Sequence, residues 1–386
     1  MRYRKLGKAN VDTSVLSFGA MRLPMIGSNG PMDGFNPDIP IDEVHATKMI
    51  NHALEQGINY FDTAYGYHGG QSEVFVGKAL RENRSKVMIA TKLPVWNIEK
   101  PEDMARIFKE QLQRLQTDYV DIYHVHGLGA ATWEKMGKMG VLEFMDGLCR
   151  SGQIRFAGFS FHDEVNVFKE IVDAYDWSVC QIQYNFYDRE YQAGKEGLDY
   201  AAARNIGIVI MEPLRGGKLV DPIPPEVQAI WDSAASKKSP AEWAMRWVYN
   251  HESVSTVLTG ASSLAQLMDH TRAVKDAAAN SLSAAELALF DKVRAEYRKM
   301  LRVDCTGCGY CMKCPNGVNI PNNFAIYNDA FLFKSMEQGS FFYNNFLTPD
   351  ERASACNDCL TCVEKCPQKI NIPEELKEVD KLLAKK

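Results

Sequence analysis

The chain has few of the features that mark secreted, membrane-spanning or nucleic-acid-binding proteins. No apolar stretch approaches the roughly 18 residues of a membrane span, and the first ten residues, MRYRKLGKAN, lack the apolar segment of a signal peptide. The net charge is −5 and there is no long basic run, which argues against nucleic acid or an anionic membrane as a partner. We therefore expect a cytoplasmic protein with no nucleic-acid or membrane partner.

Cysteine is scarce over most of the chain and concentrated in one part of it. Only Cys149 and Cys180 fall in the first 304 of 386 residues, whereas the other eight lie between positions 305 and 366. Because a reducing cytoplasm disfavours structural disulfides, this concentration indicates metal binding, and the two isolated cysteines are expected to be core thiols. With 46% apolar and 24% charged residues, the chain can also bury a large globular core.

Eight short apolar runs alternate with segments of helical period over the first 300 residues. Since the runs are apolar on both faces, they are typical of buried parallel strands, and their number predicts a (β/α)8 TIM barrel. An open doubly wound sheet is the alternative, but no G-x-G-x-x-G follows the first strand. The predicted strands are 15–20, 58–64, 86–92, 119–126, 154–160, 178–185, 207–213 and 254–261.

Polar side chains stand at the carboxyl ends of these predicted strands. In a barrel of this kind the chemistry lies at that end, on the loops that follow the strands. Tyr67 lies on the loop after the second strand, within FDTAYGYHGGQSE. We therefore expect Tyr67 to share one barrel mouth with the residues at the strand ends, which are Asp62, Lys92, His126, Ser160, Gln181 and Glu212.

The combination of Asp, Tyr, Lys and His at one mouth suits proton transfer to a carbonyl oxygen. A phenol holds its proton at neutral pH and can donate it as a general acid, while a nearby ammonium lowers its pKa. An aspartate paired with the lysine keeps the ammonium charged and in position. A histidine alongside can hydrogen-bond the carbonyl oxygen and orient it.

The motifs FDTAYGYHGGQSE, IATK and DIYHVH resemble, in order and spacing, those of the aldo-keto reductase superfamily. The similarity covers roughly residues 1–300 and includes YRKLGKANVDTSVLSFGAMRL near the start. It implies an NAD(P)H-dependent enzyme that interconverts a small carbonyl compound and an alcohol. It also implies a catalytic tetrad with Tyr67 as the acid, and Tyr65, two residues earlier, is the competitor for that role. The implied tetrad is Asp62, Tyr67, Lys92 and His126.

The same resemblance implies a set of cofactor contacts, with two departures from the family pattern. Phe161 replaces an Asn and Met211 replaces an aromatic ring, and the basic residues that many members use for the 2′-phosphate of NADP are absent after the eighth strand. NADP and NAD therefore both remain candidates. The implied contacts are Gly19, Ala20, Met21, Asp62, Ser160, Gln181, Met211, Glu212, Pro213, Leu214, Arg215, Gly216, Gly217, Lys218, Gly260, Ser262, Gln266, Asp269 and His270.

Two cysteine runs, CTGCGYCMKCP (305–315) and CNDCLTCVEKCP (356–367), occupy the tail. The second is the C-x2-C-x2-C-x3-C-P run of bacterial ferredoxins; the first is one residue shorter before its last cysteine. Similar sequences, NGVNIP and QKINIP, follow the two runs and form a weak internal repeat. A zinc site is the alternative, because C-x2-C pairs also make zinc ribbons.

The tail thus resembles a two-cluster ferredoxin, and the whole chain resembles the ferredoxin-tailed aldo-keto reductases of anaerobic microbes. Residues 1–300 are predicted to be the barrel, and residues 301–386 a small domain of helices and loops with two 4Fe–4S clusters. By this analogy, one cluster takes Cys305, Cys308, Cys311 and Cys366, and the other takes Cys314, Cys356, Cys359 and Cys362.

Two hypotheses about function follow from the sequence. The first is an NAD(P)H-dependent carbonyl reductase whose clusters exchange electrons with a ferredoxin or flavoprotein partner. The second is an electron-transfer or redox-sensing protein whose barrel binds a nucleotide or a flavin and turns over little carbonyl substrate. The complete set of Asp, Tyr, Lys and His favours the first. Because a hydride carries two electrons and a cubane accepts one, coupling the two would need a flavin or a similar converter.

Overall fold

A computed structural model of the chain describes residues 1–27, 39–275, 278–305, 307, 309, 311–312, 314–366 and 368–385. Within these residues, β1 and β2 form a short antiparallel hairpin and the other strands form a closed parallel barrel. The strands are β1 Tyr3–Lys5, β2 Asp12–Ser14, β3 Leu16–Gly19, β4 Tyr60–Asp62, β5 Met88–Pro94, β6 Val120–Leu128, β7 Ile154–Phe161, β8 Val179–Gln183, β9 Gly207–Met211 and β10 Thr256–Thr259.

The barrel confirms the predicted fold class. Its strand order is β10-β3-β4-β5-β6-β7-β8-β9, and β10 pairs with β9 to close the ring. Each of the eight predicted apolar runs overlaps one barrel strand; β5, β6 and β7 extend one or two residues beyond their runs, and the other five strands are shorter than theirs. The β1–β2 hairpin was not predicted, because its three-residue strands are too short to give a pattern of alternation.

The hairpin region packs at the amino-terminal end of the barrel. Leu6 is fully buried and clusters with interior residues from the start of the strands, among them Tyr60, Met88 and Val179. Gly7, which follows it, has φ +49°, and a β-carbon built there would lie 2.2 Å from the backbone nitrogen of Gly207. A glycine is therefore required for this close approach. Because this end of the barrel is filled, the opposite mouth remains for a ligand.

Helices alternate with the barrel strands and continue into the tail. Helix α3 shows how the sequence forms them: its buried residues Met104, Ile107, Phe108, Gln111 and Leu115 recur at helical spacing. The helices are α1 Glu43–Glu55, α2 Gln71–Leu80, α3 Glu102–Leu115, α4 Ala130–Lys138, α5 Val141–Ser151, α6 Val165–Ala174, α7 Gly194–Ala202, α8 Pro225–Asp232, α9 Pro240–Tyr249, α10 Leu264–Ala273, α11 Ala284–Lys299, α12 Ile320–Leu332, α13 Met336–Phe346, α14 Thr361–Lys365 and α15 Ile372–Leu383.

The chain divides into two compact units. One comprises Met1–Asp221 and Ser236–Leu287, and the other comprises Pro222–Ala235 and Ala288–Lys386. The first contains every barrel strand, and the second contains both cysteine runs. The predicted domain boundary between residues 300 and 301 stays a prediction.

The second unit has its own small apolar core. Side chains of α12, α13 and α15 form it, including Phe324, Tyr343 and Val379, and several cysteines pack against it. The weak internal repeat of the sequence has a structural counterpart here. Asn319 and Asn371 stand at the N-caps of α12 and α15, and each is followed by Ile-Pro in the first turn. Proline suits this position because its missing N–H would have no helical partner.

In the described part of the chain, no helix is both long enough and apolar enough to cross a membrane.

Candidate active site

Lys92 lies at the centre of a buried polar cluster in the barrel mouth. Its ammonium donates hydrogen bonds to Asp62 Oδ1 at 2.5 Å and to the carbonyl oxygen of Thr63 at 2.8 Å. It also lies 3.4 Å from the phenolic oxygen of Tyr67. The side chains of Lys92 and Asp62 are almost fully buried. The adjacent strands β4 and β5 bring them together, although they are 30 residues apart in the chain.

The charge of Lys92 is maintained by its neighbours. Burial lowers the pKa of Lys92, but Asp62 and then Tyr67 more than offset this effect, so that the pKa lies above its ordinary value. Burial raises the pKa of Asp62, and Lys92 opposes that rise. At neutral pH the cluster therefore holds a charged ammonium next to a phenol.

Tyr67 has the position and the protonation state that a general acid needs. Burial raises its pKa, while Lys92 acts in the opposite direction. The ammonium thus lowers the pKa of Tyr67, as expected, but burial raises this pKa by a larger amount. The phenol is fully protonated at neutral pH and lies against a cation that favours its phenolate form. Lys92 Nζ also lies 4.9 Å from the centre of the Tyr67 ring.

Tyr65, the competitor for the acid role, has different partners. Its hydroxyl donates a hydrogen bond to Glu110 Oε2 at 3.1 Å, and its ring lies 4.2 Å from the guanidinium carbon of Arg114. Burial and then the hydrogen bond to Glu110 raise its pKa. Because Glu110 and Arg114 are side chains of α3, Tyr65 is held by the outer helix rather than by Lys92. This difference favours Tyr67.

His126 lies beside Tyr67 and is neutral. The two rings meet edge to face with centroids 6.0 Å apart, and the ring of Trp96 lies 4.7 Å from His126 on centroids. Burial and then Lys92 lower the pKa of His126 well below its ordinary value. Its Nδ1 is buried and has no hydrogen-bond partner. A neutral imidazole can donate one hydrogen bond to a bound oxygen.

Gln111, which the sequence analysis did not single out, supports Lys92 from behind. Its amide donates to Glu73 Oε1 at 2.7 Å and to the backbone carbonyl of Lys92 at 3.0 Å, and its oxygen accepts from Tyr123 at 2.7 Å. Thr91 donates to the same Glu73 oxygen at 2.6 Å. The sequence does contain a signal for this role, because Gln111 is a polar residue on the apolar face of α3. A buried amide on such a face needs polar partners.

Ser160 and Gln181 are neighbours in the register of β7 and β8. Ser160 Oγ accepts a hydrogen bond from the backbone of Gly127 at 2.8 Å, which leaves its proton available to a ligand. Gln181 is 3% exposed and its Oε1 is buried without a partner. Because a buried amide oxygen without a partner is costly, this atom is suited to a ligand that donates a hydrogen bond, such as the carboxamide of a nicotinamide.

The loop after β9 contains Arg215, one of the predicted phosphate contacts. Its Nε donates to Asp188 Oδ2 at 2.8 Å, and the same carboxylate accepts from Gln183 at 3.0 Å and Asn185 at 3.2 Å. Asp188 is 8% exposed. Arg215 is therefore committed to a buried ion pair, which it would have to leave in order to bind phosphate. The other predicted contacts of this loop are on or near the surface, except Pro213, which is buried.

The predicted contacts after β10 divide into two groups. Ser262 and Gln266 are exposed near the start of α10, where the Gln266 side chain accepts from the backbone of Ser262 at 2.9 Å. Asp269 is paired with Arg272 at 3.3 Å, and His270 is buried against Thr259 at 2.6 Å. The first group is accessible to a nucleotide, whereas the last two residues already have protein partners. All these contacts stay predictions.

The segment after β3 is held firmly next to Asp62. Ala20 N donates to the carbonyl oxygen of Asp62 at 2.8 Å, and Ala20 O accepts from Ser72 at 2.9 Å. A β-carbon on Gly19 would lie 2.9 Å from the carbonyl oxygen of Thr259. This close packing fixes the backbone of the predicted contacts Gly19, Ala20 and Met21 beside the lysine cluster.

The cysteines of the second unit surround two cavities. One has a volume of about 380 Å³, counting the space open to solvent, and the other about 320 Å³. Ile320 lines both. The larger cavity is lined by Cys311, Cys314, Cys356, Cys359 and Cys362, and the smaller by Cys305, Cys311 and Cys366.

Cys311 borders both cavities, and each of the other described cysteines of the two runs borders the cavity of one predicted ligand set. The ligand sets themselves stay predictions. Cys308 lies outside the described residues. Among the residues that are described, no three histidine, cysteine or carboxylate side chains converge closely enough to hold a single metal ion. Thiols spaced around a cavity suit a multi-iron cubane better than one zinc ion, whose four ligands must all lie within bonding distance of one atom.

Comparison with known proteins identifies both parts of the chain. Residues 25–295 match the aldo/keto reductase family, and residues 304–371 match a 4Fe–4S dicluster domain. The protein belongs to the aldo/keto reductase family and is an oxidoreductase of that family with an added dicluster domain. The family uses NAD(P)H, and the dicluster domain indicates two 4Fe–4S clusters.

The relatives support this assignment along the barrel. An uncharacterized oxidoreductase, YqkF of Bacillus subtilis, is 26% identical over 71% of this chain and 91% of its own. L-galactose dehydrogenase of Arabidopsis thaliana is 27% identical over 71% of this chain and 88% of its own. The structure of aldo-keto reductase AKR11C1 from Bacillus halodurans, in its holo form, is similar with a TM-score of 0.63. It is 29% identical and covers 76% of this chain and 96% of its own.

Proposed function

We propose that the protein is an NAD(P)H-dependent oxidoreductase that interconverts a small carbonyl compound and the corresponding alcohol, with Tyr67 as the general acid. The observation that carries the proposal is the position of Lys92. It is buried, charged and bonded to Asp62, and it lies 3.4 Å from the Tyr67 oxygen. Few structural roles require a buried ammonium next to a phenol, whereas acid–base catalysis does.

The residues of the mouth would divide the proton chemistry among them. NAD(P)H, when bound, supplies the hydride to the carbonyl carbon. Tyr67 donates its proton to the carbonyl oxygen, and Lys92 stabilises the phenolate that remains. Asp62 keeps Lys92 charged and in place. Neutral His126 donates a hydrogen bond that orients the carbonyl oxygen, and in the reverse direction the phenolate accepts the proton of the alcohol.

Ser160 and Gln181 are the residues best suited to hold the nicotinamide ring. A carboxamide has both a donor and an acceptor. It can therefore satisfy the unpaired Gln181 Oε1 and accept from the Ser160 hydroxyl at the same time. These two hydrogen bonds would keep the ring fixed relative to Tyr67.

The substrate is proposed to be small and to lie on the side of Trp96. This ring is 56% exposed and packs against His126, so it offers an apolar surface next to the proposed carbonyl site. One relative is named for a dehydrogenase of L-galactose, which supports a small hydroxylated compound as the substrate class.

The clusters are proposed to exchange electrons with a ferredoxin or flavoprotein partner. Cys314, Cys356, Cys359 and Cys362 would bind one cluster, and Cys305, Cys308, Cys311 and Cys366 the other. Cys359 is exposed, and it lines the larger cavity. A thiolate at the surface would bring one cluster within reach of a partner. A ferredoxin-type cluster accepts one electron at a time, which suits exchange with a ferredoxin or a flavoprotein.

The test begins with anaerobic purification, followed by measurement of iron, bound flavin and the binding of NADH and NADPH. A panel of aldehydes and ketones is then assayed with the nucleotide that binds. We expect nucleotide binding in the micromolar range and turnover of at least one carbonyl compound at about 1 s⁻¹ or faster. If neither nucleotide binds and flavin is found instead, the protein belongs to the alternative class of electron-transfer or redox-sensing proteins.

A further inference from the structure

Arg22 is a cation at the barrel mouth to which the sequence analysis gave no role. It is half-buried and follows β3 directly. Among the described residues, no hydrogen bond or ion pair engages its guanidinium. The guanidinium is also close enough to Tyr67 to lower the pKa of that phenol, although burial has the larger and opposite effect.

The guanidinium reaches two glycines on different loops. A β-carbon built on Gly216, after β9, would lie 3.2 Å from Arg22 Nη2. A β-carbon built on Gly260, after β10, would lie 3.5 Å from Arg22 Nη1. One nitrogen of the fork thus faces each loop. At both places the absence of a side chain leaves the backbone open to a bound group.

The backbone on both sides of Arg22 is held in place. The backbone before it is held by the bond from Ala20 N to Asp62 O at 2.8 Å. The backbone after it is held by the bond from Leu23 N to Nε2 of His68 at 3.2 Å. His68 is itself fully buried. A charge presented from an anchored backbone loses less entropy on binding than one on a free loop.

We propose that Arg22 binds the diphosphate of the nucleotide cofactor, an inference that rests on the proposed function. The guanidinium matches phosphate oxygens with two parallel hydrogen bonds. The loop after β9 contains two basic residues among the predicted cofactor contacts, Arg215 and Lys218, and Arg215 is already paired with buried Asp188. Arg22 therefore adds a positive charge to a sector of the mouth in which Arg215 is already engaged.

The barrel topology separates Arg22 from His126 and Trp96, which border the proposed substrate surface, although Tyr67 follows the neighbouring strand β4. Strands β9, β10 and β3 are consecutive in the ring, so Arg22, Gly216 and Gly260 share one sector of the mouth. His126 belongs to β6, and Trp96 follows β5, in another sector. An anionic group on the substrate is thus a less suitable ligand for Arg22 than the phosphates of the cofactor.

The experiment measures nucleotide binding to the full-length protein, purified anaerobically with its clusters. ADP-ribose, NADH and NADPH are titrated by calorimetry against wild type, Arg22→Gln, Arg22→Lys and the control Arg150→Gln, which removes an exposed charge on α5. ADP-ribose carries the diphosphate but no nicotinamide. For Arg22→Gln we expect all three dissociation constants to rise about 10- to 100-fold, with the ratio of NADPH to NADH unchanged. Arg22→Lys should lose less affinity than Arg22→Gln, and Arg150→Gln should change the dissociation constants by less than about twofold.

Three results would overturn the inference while leaving the proposed function intact. One is an unchanged affinity of Arg22→Gln for ADP-ribose. Another is a loss confined to NADPH, which would assign Arg22 to the 2′-phosphate. The third is an increase in the KM of the carbonyl substrate with no change in nucleotide affinity, which would assign Arg22 to an anionic group of the substrate. If the wild type binds none of the three nucleotides, the proposed function fails as well.

Discussion

The barrel mouth and the cysteine-lined cavities hold their polar groups in different ways. At the mouth, the groups come from different strands, and the protein itself supplies the partners of Lys92. Lys92 has three oxygen neighbours and is almost fully buried. In the cavities, the cysteines are close in sequence but most are half-buried or exposed, and their natural partners are iron atoms.

This difference indicates which part of the molecule can form without its cofactor. The lysine cluster is arranged by protein groups, because strand register positions Asp62 and Lys92, although Asp62 Oδ2 has no hydrogen-bond partner. The second unit has a smaller core, and deprotonated thiolates around a cavity would repel one another without a metal. Metal binding and folding are coupled in small sites of this kind. The experiments below test this contrast between a preformed site and a ligand-dependent one.

The largest effect is expected at the barrel mouth. Tyr67→Phe removes the proposed acid but keeps the ring, so kcat for carbonyl reduction should fall by about 10²- to 10⁴-fold. The dissociation constant for the nucleotide, measured by titration, should change little because the ring remains. Tyr65→Phe is the matched control and should retain most of the activity, since Tyr65 is bonded to Glu110. Full activity in Tyr67→Phe together with its loss in Tyr65→Phe would reverse the assignment.

The next effect concerns the ligand-dependent unit. Cys362 is 9% exposed and lines the larger cavity. Cys362→Ser should remove one cluster and about half of the iron, since each of the two clusters holds four irons. Reductive titration followed by electron paramagnetic resonance should then show one signal lost. Nucleotide binding by the barrel should be unchanged if the mouth is preformed.

The control for this experiment is Cys149→Ser, which changes a cysteine of the barrel unit on α5. Its iron content should equal that of the wild type. Retention of all the iron in Cys362→Ser would contradict the proposed ligand set. A simultaneous loss of nucleotide binding would contradict the contrast between the two sites.

The sequence predicted the barrel because its strands are continuous apolar runs, and it predicted the two-cluster domain because cysteine spacing is local. It also predicted Asp62 and Lys92 as neighbours, since successive parallel strands are adjacent in a barrel. The pairing of Arg215 with Asp188 could not be predicted, because Asp188 lies on a loop after β8 without any periodic pattern. For this reason Arg215 was included, with Lys218, among the expected cofactor contacts.

The contact of Arg22 with Gly216 and Gly260 was missed for a different reason. These residues lie at opposite ends of the barrel sequence and meet only because β10 pairs with β3. The sequence predicts that the strands close into a ring. It does not predict the direction in which a long side chain such as that of Arg22 extends across the mouth of the ring. The buried position of Gln111 can be predicted from the sequence, since the helical period places it on the buried face of α3.

A smaller effect is expected from the support behind Lys92. Gln111→Met has a similar shape but lacks the amide, so that Glu73 and Tyr123 each lose a buried hydrogen bond. The free energy of unfolding of the barrel should fall by about 1–3 kcal/mol. Gln113→Met on the exposed face of the same helix is the control and should change it by less than about 0.5 kcal/mol. Urea unfolding measures both, and equal effects would show that the buried network adds nothing to stability.

The last effect is a pH dependence of barrel stability that arises from buried neutral histidines. Burial lowers the pKa of His68 to about 4 and, together with Lys92, that of His124 to about 3. In the unfolded chain a histidine has a pKa of about 6.5. Between these values the unfolded state binds more protons, so stability should fall as pH decreases below about 6.5 and stay level above pH 7.

From pH 7 to pH 6 the expected loss is about 0.7 kcal/mol for each histidine, and the slope approaches about 1.4 kcal/mol per pH unit at lower pH. Urea unfolding followed by tryptophan fluorescence reports on the barrel through Trp177 and Trp243, which are fully buried there. His68→Gln should reduce the slope of stability against pH by the contribution of one histidine, whatever the effect of the substitution on stability at pH 7. Gln113→Met should keep the slope of the wild type. Equal slopes in His68→Gln and the wild type would show that the His68 imidazole is charged in the folded state, and the account of a preformed neutral mouth around Tyr67 would then be wrong.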